Sequence, residues 1–202
     1  TPLVSPVHRS SSPLPHRAAG KPSPMSEMTT FIRLKRKPPI VGIMGSHRED
    51  SPALGEARSL GEAVATRGHV LLTGGGTGVM AAASEGAWQA GGLVLAILPN
   101  EWNRPLEGYP NRFVDLAVYT GLSDGRNAVS AKTSHVMIAL EGGPGTLSEI
   151  ALALKSGTPV IGLRAPRSDL EKHENYHAVS SVSEALECLD RLLTPHEGGH
   201  LP

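Results

Sequence analysis

Three glycine-rich turns carry the strongest chemical signal in this chain. They comprise Gly45 and Ser46; Gly74, Gly75, Gly76, Thr77 and Gly78; and Gly142, Gly143, Pro144, Gly145 and Thr146. Because glycine has no side chain, backbone N–H groups can approach an anion closely there, and a following helix adds the positive end of its dipole. One such turn is most often only a tight connection, whereas three on one edge of a sheet favour a phosphate-binding site.

The turns match neither common nucleotide-binding fingerprint. Val79 stands where the motif G-x-G-x-x-G has its last glycine, and no lysine follows any of the three turns as a Walker A loop requires. Ordinary NAD binding and ATP hydrolysis are therefore disfavoured.

Two charged residues are candidates to act on a ligand held by these turns. Glu149 follows Thr146 by three residues, so it either bonds the Thr146 N–H in a capping box or faces the ligand as an acid, base or charge stabiliser. Arg126 begins a predicted helix, where a cation opposes the dipole and needs a nearby acid or a ligand's phosphate or sugar oxygens. Because they lie on adjacent β-α units, both can face one ligand.

The elements that position these residues alternate between strands and helices. Short apolar runs predict strands at 40–44, 69–73, 93–98, 113–118, 135–140, 159–163 and 176–179. Helices are predicted from Ser51 to Arg67, Gly78 to Ala90, Gly125 to Thr133 and Thr146 to Ser156, with a last one capped by Ser181 and Glu184. This pattern predicts one Rossmann-like, three-layer α/β domain with a mainly parallel sheet at residues 38–194, whose turns lie at the ligand-binding edge.

The two ends of the chain differ in composition from this domain. Residues 1–37 are rich in Pro, Ser and basic residues, and we predict that they are disordered. They are either an organellar transit peptide or an extension before a start at Met25 or Met28. Residues 195–202 are predicted to be a flexible tail, because Pro195 makes a helix that would bring His196 and His200 together on a metal improbable.

Charge and cysteine content exclude several function classes. Residues 1–37 hold seven basic residues and one acid, so the rest of this neutral chain is acidic, which argues against nucleic-acid binding. No apolar run approaches the roughly 20 residues that cross a bilayer. Cys188 is the single cysteine, so neither a disulfide within the chain nor a multi-cysteine zinc site is expected, and a cytoplasmic location fits. We expect Cys188 to be a buried, neutral thiol.

Aromatic residues suggest how a flat ring could be held. Trp102 and Tyr109 lie in the long loop after the third strand and could stack on a heterocycle, although loop aromatics more often pack on their own loop. Trp88 is expected to pack on the sheet from its helix.

Taken together, the second turn, Arg126 and residues 142–149 resemble the LOG-type superfamily. This resemblance implies homodimers or higher homo-oligomers. One branch consists of cytokinin-activating nucleoside 5'-monophosphate phosphoribohydrolases, which cleave an N-glycosidic bond. Arg126 and Glu149 match the arginine and glutamate that this branch needs for catalysis.

The resemblance is closer to the molybdenum-cofactor carrier branch. Glu141 replaces the proline of the hydrolase motif P-G-G-x-G-T-x-x-E, Asn127 follows the arginine where lysine is usual, and residues 149–160 are more carrier-like. By this resemblance the ligand is molybdopterin, the molybdenum cofactor or another phosphorylated heterocycle, held without turnover and with no further cofactor required. The alternative is hydrolysis of a nucleoside monophosphate.

Overall fold

One parallel sheet of seven strands organises the protein. The computed structural model describes residues 37–194, and the expectations for both tails lie outside this range. The strands are β1 (Ile40–Met44), β2 (Val70–Thr73), β3 (Val94–Leu98), β4 (Leu116–Tyr119), β5 (Val136–Ala139), β6 (Val160–Leu163) and β7 (Tyr176–Val179). The helices are α1 (Leu54–Thr66), α2 (Val79–Gln89), α3 (Arg126–Thr133), α4 (Pro144–Lys155) and α5 (Val182–Leu193). All strand pairs run parallel, in the order β4-β3-β2-β1-β5-β6-β7.

Helices cover both faces of the sheet because apolar side chains alternate along its strands. In β1, Val41 and Ile43 pack with apolar residues of α1, α2 and α5, whereas Met44 belongs to the core built with α3 and α4. Strands buried on both faces are typical of parallel sheets. The predicted three-layer, Rossmann-like α/β class is confirmed.

The strand order creates one switch point. From β1 the chain builds β2, β3 and β4 on one side and then crosses to place β5 on the other. Connections therefore leave the carboxyl ends of β1 and β5 in opposite directions, which opens a crevice where such folds bind ligands. Within the part of the chain described, no helix is long and apolar enough to cross a membrane.

Three predicted boundaries were wrong by two or three residues. Helix α1 starts after Ala53 rather than at Ser51, where the Ser51 hydroxyl accepts from the Ala53 N–H and also donates to the Glu141 carboxylate. Helix α4 starts at Pro144 rather than Thr146, since proline suits a first helical turn. Strand β4 starts at Leu116 rather than 113, because Asn111 ties the preceding segment to the second glycine turn through its N–H and side-chain amide.

The closing helix and two side chains complete the test of the local predictions. The Ser181 hydroxyl accepts from the Glu184 N–H as predicted, while the Glu184 carboxylate accepts from Ser180. Cys188 is buried, and this burial raises the pKa of its thiol. The expectation for Trp88 was wrong: the residue is 44% exposed and its ring tilts against Phe113.

Candidate functional site

A cavity of about 370 Å³ lies at the carboxyl ends of β1 and β5. Its walls come from the turns after both strands, the start of α3, the first turns of α4 and the loop between β3 and β4. The lining residues are Gly45, Ser46, His47, Arg48, Met80, Tyr109, Asp124, Arg126, Asn127, Glu141, Gly142, Gly143, Pro144, Gly145, Thr146 and Glu149. The volume is within the roughly 300–1,000 Å³ of small-molecule sites.

The structure brings the first and third glycine turns to this cavity together with Arg126 and Glu149. The predicted residues that line it are Gly45, Ser46, Arg126, Gly142, Gly143, Gly145, Thr146 and Glu149. The second turn does not line the cavity, although some of its residues contact residues that do. The predicted residues of this turn are Gly74, Gly75, Gly76 and Thr77. Their role in binding a ligand stays a prediction, and the contacts below show what they support.

The turn between β5 and α4 presents free backbone donors. Gly143 precedes the helix and Pro144 opens it, so the N–H groups of Gly145 and Thr146 have no carbonyl one turn earlier in the helix. A side chain at Gly143 or Gly145 would meet open space, whereas one at Gly142 would collide with the Thr146 hydroxyl. Two N–H groups and the positive end of the helix dipole therefore meet open space, which suits them to bind an anion.

The first two glycine turns are fixed to their surroundings by backbone hydrogen bonds. The Ser46 N–H donates to the Glu141 carbonyl at 2.7 Å, and the Val79 N–H donates to the Ser46 carbonyl at 2.8 Å. The Thr77 hydroxyl, which was predicted to contact a ligand, donates its proton to the His47 carbonyl at 2.6 Å. Gly78 has a φ of 62° and lies against the Ser46 carbonyl, so only glycine fits there without strain.

Arg126 and Glu149 contact each other inside the cavity. The Arg126 Nη1 donates to the Glu149 Oε1 at 3.3 Å, and the two side chains are only 12% and 7% exposed. The guanidinium occupies the space that a side chain on Gly74 would need, so this glycine makes room for the arginine. The nearby acid that the position of Arg126 demanded is thus Glu149 itself.

Burial dominates the protonation of Glu149. It raises the pKa of the carboxyl from 4.5 to about 7, against the smaller lowering effect of the Arg126 charge. The carboxylate does not cap the Thr146 N–H, because α4 begins two residues earlier than predicted and Glu149 points to Arg126. The capping-box prediction for Glu149 was therefore wrong, and its carboxyl pairs with Arg126 at the cavity.

Glu141, the departure from the hydrolase motif, joins the two sides of the crevice. Its Oε2 accepts a 2.5 Å hydrogen bond from the Ser51 hydroxyl, which in turn accepts from the Ala53 N–H at the start of α1. Its backbone carbonyl accepts from Ser46. A proline would offer no such side chain, so Glu141 positions the third turn in a way that the hydrolase motif does not provide.

Sequence reasoning missed several lining residues. His47 and Arg48 follow the first turn, and Asp124 precedes Arg126. Their closeness in sequence to predicted site residues is the signal that could have identified them. Asn127 was noted only as a departure, yet its Nδ2 donates to the Ser148 Oγ at 2.9 Å and joins α3 to α4. Of the two loop aromatics, Tyr109 lines the cavity beside Gly76, whereas Trp102 is 78% exposed and outside the lining.

Metal-binding side chains are not grouped in this domain. Between residues 37 and 194, no cluster of three or more His, Cys, Asp or Glu is placed to hold a metal ion. The chemistry of the cavity is that of backbone N–H donors, arginines and carboxylates.

Comparison with known proteins decides the family. The SLOG cluster4 description matches residues 38–189, nearly the whole α/β domain. The chain belongs to this family. The resemblance to the LOG-type superfamily is confirmed, as is the greater likeness to the carrier branch.

The similar proteins include two of solved structure that bind or carry the molybdenum cofactor and one uncharacterized protein. A molybdenum cofactor binding protein from Rippkaea orientalis is 37% identical, with a TM-score of 0.71 over 79% of this chain and 100% of that one. The Moco Carrier Protein from Chlamydomonas reinhardtii is 36% identical, with a TM-score of 0.69 over 78% and 98%. An uncharacterized protein from Archaeoglobus fulgidus is 40% identical over 126 residues, 62% of this chain and 80% of its own length.

Proposed function

We propose that this protein binds a phosphorylated heterocycle, the molybdenum cofactor, in the cavity between β1 and β5 and carries it without converting it. The observation that carries the proposal is the match to a molybdenum cofactor binding protein along that protein's whole length. The cavity at the switch point is where that shared fold would hold its ligand.

The cavity offers a separate partner for each part of such a ligand. The free N–H groups of Gly145 and Thr146 and the guanidinium of Arg126 suit the phosphate. Tyr109 and Met80 form a less polar wall, on which the flat heterocycle can pack. These assignments use only side chains and amides that line the cavity.

Titration with molybdopterin tests this proposal directly. A rise in melting temperature that grows with ligand concentration is expected for the wild-type protein. Arg126→Met should abolish most of the rise, whereas Arg104→Met, which removes an exposed arginine outside the cavity, should keep it. A molybdopterin titration that leaves the wild-type melting temperature unchanged would contradict the proposal.

A second function is favoured by one observation, the buried Glu149. A carboxyl whose pKa is about 7 beside an arginine is suited to acid–base chemistry near neutral pH. In a nucleoside 5'-monophosphate phosphoribohydrolase, Arg126 would orient the phosphoribose. Glu149 would activate water or stabilise positive charge at the sugar carbon as the N-glycosidic bond breaks.

Base release separates the enzyme from the carrier. A panel of nucleoside monophosphates should yield no free base if the protein is only a carrier. Release of base that Glu149→Ala abolishes, while the substrate still binds, would establish the hydrolase instead.

We also propose that the protein forms a homodimer. Leu116 and Val118 share a sheet face with Leu95 and Ile97 but remain half-exposed and lie outside the core cluster on that face. A second copy packed there would bury this apolar surface. Light scattering after gel filtration should give twice the monomer mass, and Val118→Glu should reduce it.

A further inference from the structure

The cation best placed to hold a phosphate already has a counter-ion within the protein. Arg126 is the more enclosed of the two arginines that line the cavity, and its guanidinium contacts the carboxylate of Glu149. An anion that enters must share Arg126 with this carboxylate or replace it.

Neither partner can easily withdraw. Gly74 leaves just enough room for the guanidinium, and Glu149 is fixed on α4 with its side chain 7% exposed. The free N–H groups that attract an anion belong to the first turn of the same helix, one turn before Glu149. A phosphate dianion bound there would lie beside an ionised carboxylate in a poorly hydrated place, where like charges repel strongly.

We propose that Glu149 takes up one proton when a phosphorylated ligand binds, so that Arg126 transfers its charge interaction from the carboxylate to the phosphate. This inference rests on the proposed binding function and adds its regulation. The proton comes from solvent and converts the Glu149 carboxylate into a carboxylic acid, while no other bond is made or broken. Ligand release returns the proton and restores the internal ion pair.

Other charged or titratable groups line the cavity around this pair. They are His47 and Arg48 after β1, Tyr109 in the loop after β3, Asp124 before α3, and Glu141 after β5. Among all of them, Glu149 is the carboxyl that contacts Arg126 and is buried. It is therefore the group whose protonation a bound phosphate changes most.

The direction of the pH effect follows from the same contacts. Burial holds the pKa of Glu149 at about 7, and the charge of Arg126 keeps it from rising further. A bound anion weakens that lowering effect and adds its own negative charge, so the pKa must rise on binding. Affinity is then highest below pH 7 and falls as the pH rises above 7.

Calorimetry with inorganic sulfate tests the inference, because sulfate stays a dianion throughout the relevant pH range. At pH 8, binding enthalpies measured in Tris and in HEPES should differ by an amount that corresponds to uptake of more than half a proton per sulfate. The dissociation constant should increase between pH 7 and 9, by at most about tenfold per pH unit for one linked proton.

Two variants locate the proton. Glu149→Gln should bind sulfate with no proton uptake and with little change in affinity between pH 7 and 9. Glu141→Gln, which removes another cavity carboxylate that bonds Ser51 instead of Arg126, should keep the uptake. The buffer comparison on the wild-type protein needs no variant, so absence of uptake there overturns the inference even if Glu149→Gln fails to fold.

The outcomes distinguish failure of this inference from failure of the proposed binding function. Sulfate binding without proton uptake, or uptake that persists in Glu149→Gln, overturns the inference and leaves ligand binding intact. Failure of both sulfate and molybdopterin to bind at pH 6 overturns the proposed function as well.

Discussion

Both arginines that line the cavity pair with a carboxylate, and the two pairs differ in almost every respect. Arg48 donates from two nitrogens to both oxygens of Asp50, each at 2.9 Å, with side chains 61% and 74% exposed. Arg126 donates from one nitrogen to one oxygen of Glu149 at 3.3 Å, with both side chains almost buried. The better hydrogen-bond geometry belongs to the exposed pair.

The carboxyl pKa values of the two pairs shift in opposite directions. The hydrogen bond from Arg48 lowers the pKa of Asp50, because water already solvates that carboxylate and burial opposes the shift only weakly. Burial raises the pKa of Glu149 even though an arginine touches it. Removal from water, rather than the quality of the ion pair, therefore decides which carboxyl can exchange a proton near neutral pH.

Removal of the buried cation should have the largest effect. Arg126→Met deletes charge-assisted hydrogen bonds worth about 1.5–3 kcal/mol each, so affinity for a phosphorylated ligand should fall by about 100-fold. Glu149 loses its counter-ion, so thermal stability should decrease more at pH 8 than at pH 6. Titrations and melting curves at both pH values, with Arg104→Met as the control, measure these changes; equal losses in the two variants would contradict the comparison.

Removal of the buried carboxyl should change how stability depends on pH. The folded pKa of Glu149, about 7, lies above the value of 4.5 for a solvated glutamate, so its contribution is complete below pH 4.5 and is lost as the pH rises through 7. The free energy of unfolding of Glu149→Gln, relative to wild type, should therefore increase by about 3 kcal/mol between pH 4.5 and 8.

Urea unfolding at both pH values checks this expectation. Asp50→Asn provides the contrast: the folded pKa of Asp50 is lowered, so its contribution would be lost as the pH falls, but this exposed carboxylate is hydrated and the relative stability should change little with pH. A relative stability of Glu149→Gln that does not change with pH would show that burial does not control this carboxyl.

Substitution of Gly74, which contacts Arg126 from outside the cavity, should have an intermediate effect on stability and anion binding. Alanine at Gly74 would push against the Arg126 guanidinium, so Gly74→Ala should lower stability by about 1–3 kcal/mol and weaken anion binding by about tenfold. Alanine at Gly55 meets open space in α1 and should raise stability by about 0.5–1 kcal/mol. Denaturant titration of both variants gives the contrast, and equal behaviour would show that the guanidinium is not confined.

The exposed pair should give the smallest effect. Asp50→Asn breaks a well-formed ion pair, but the charges are hydrated and the side chains mobile, so we expect no resolvable change in melting temperature at pH 7. Differential scanning calorimetry at low and high salt suffices to check it. A loss comparable to that of Arg126→Met would mean that geometry outweighs burial.

The sequence predicted the fold well because the fold depends on repeated, local signals. Apolar runs such as 135–140 end in glycine turns and are followed by helix-like segments, which is a pattern that parallel sheets require. Two boundaries failed where a contact distant in the chain acts on the segment. Ser51 has the residue type of a helix cap and accepts from the Ala53 N–H, but its hydroxyl also donates to Glu141, which is 90 positions away in the chain.

The candidate site was partly predictable for the same reason. Two glycine turns, Arg126 and Glu149 could be placed on one edge from topology alone. Their mutual contact could not, since the capping box offered Glu149 an equally good local partner. Nor could the role of Gly74, because the need for a glycine there comes from a guanidinium more than 50 residues later in the chain.

The position of β1 at the centre of the sheet has a mechanical consequence. Strands β1 and β5 share the only ladder that connects the two halves of the sheet in the described domain. Beyond its carboxyl end, Glu141 adds contacts with Ser46 and Ser51. A ligand bound in the cavity would contact both halves of the sheet and should slow their separation. Resistance to proteolysis should therefore increase with the fraction of protein that has ligand bound.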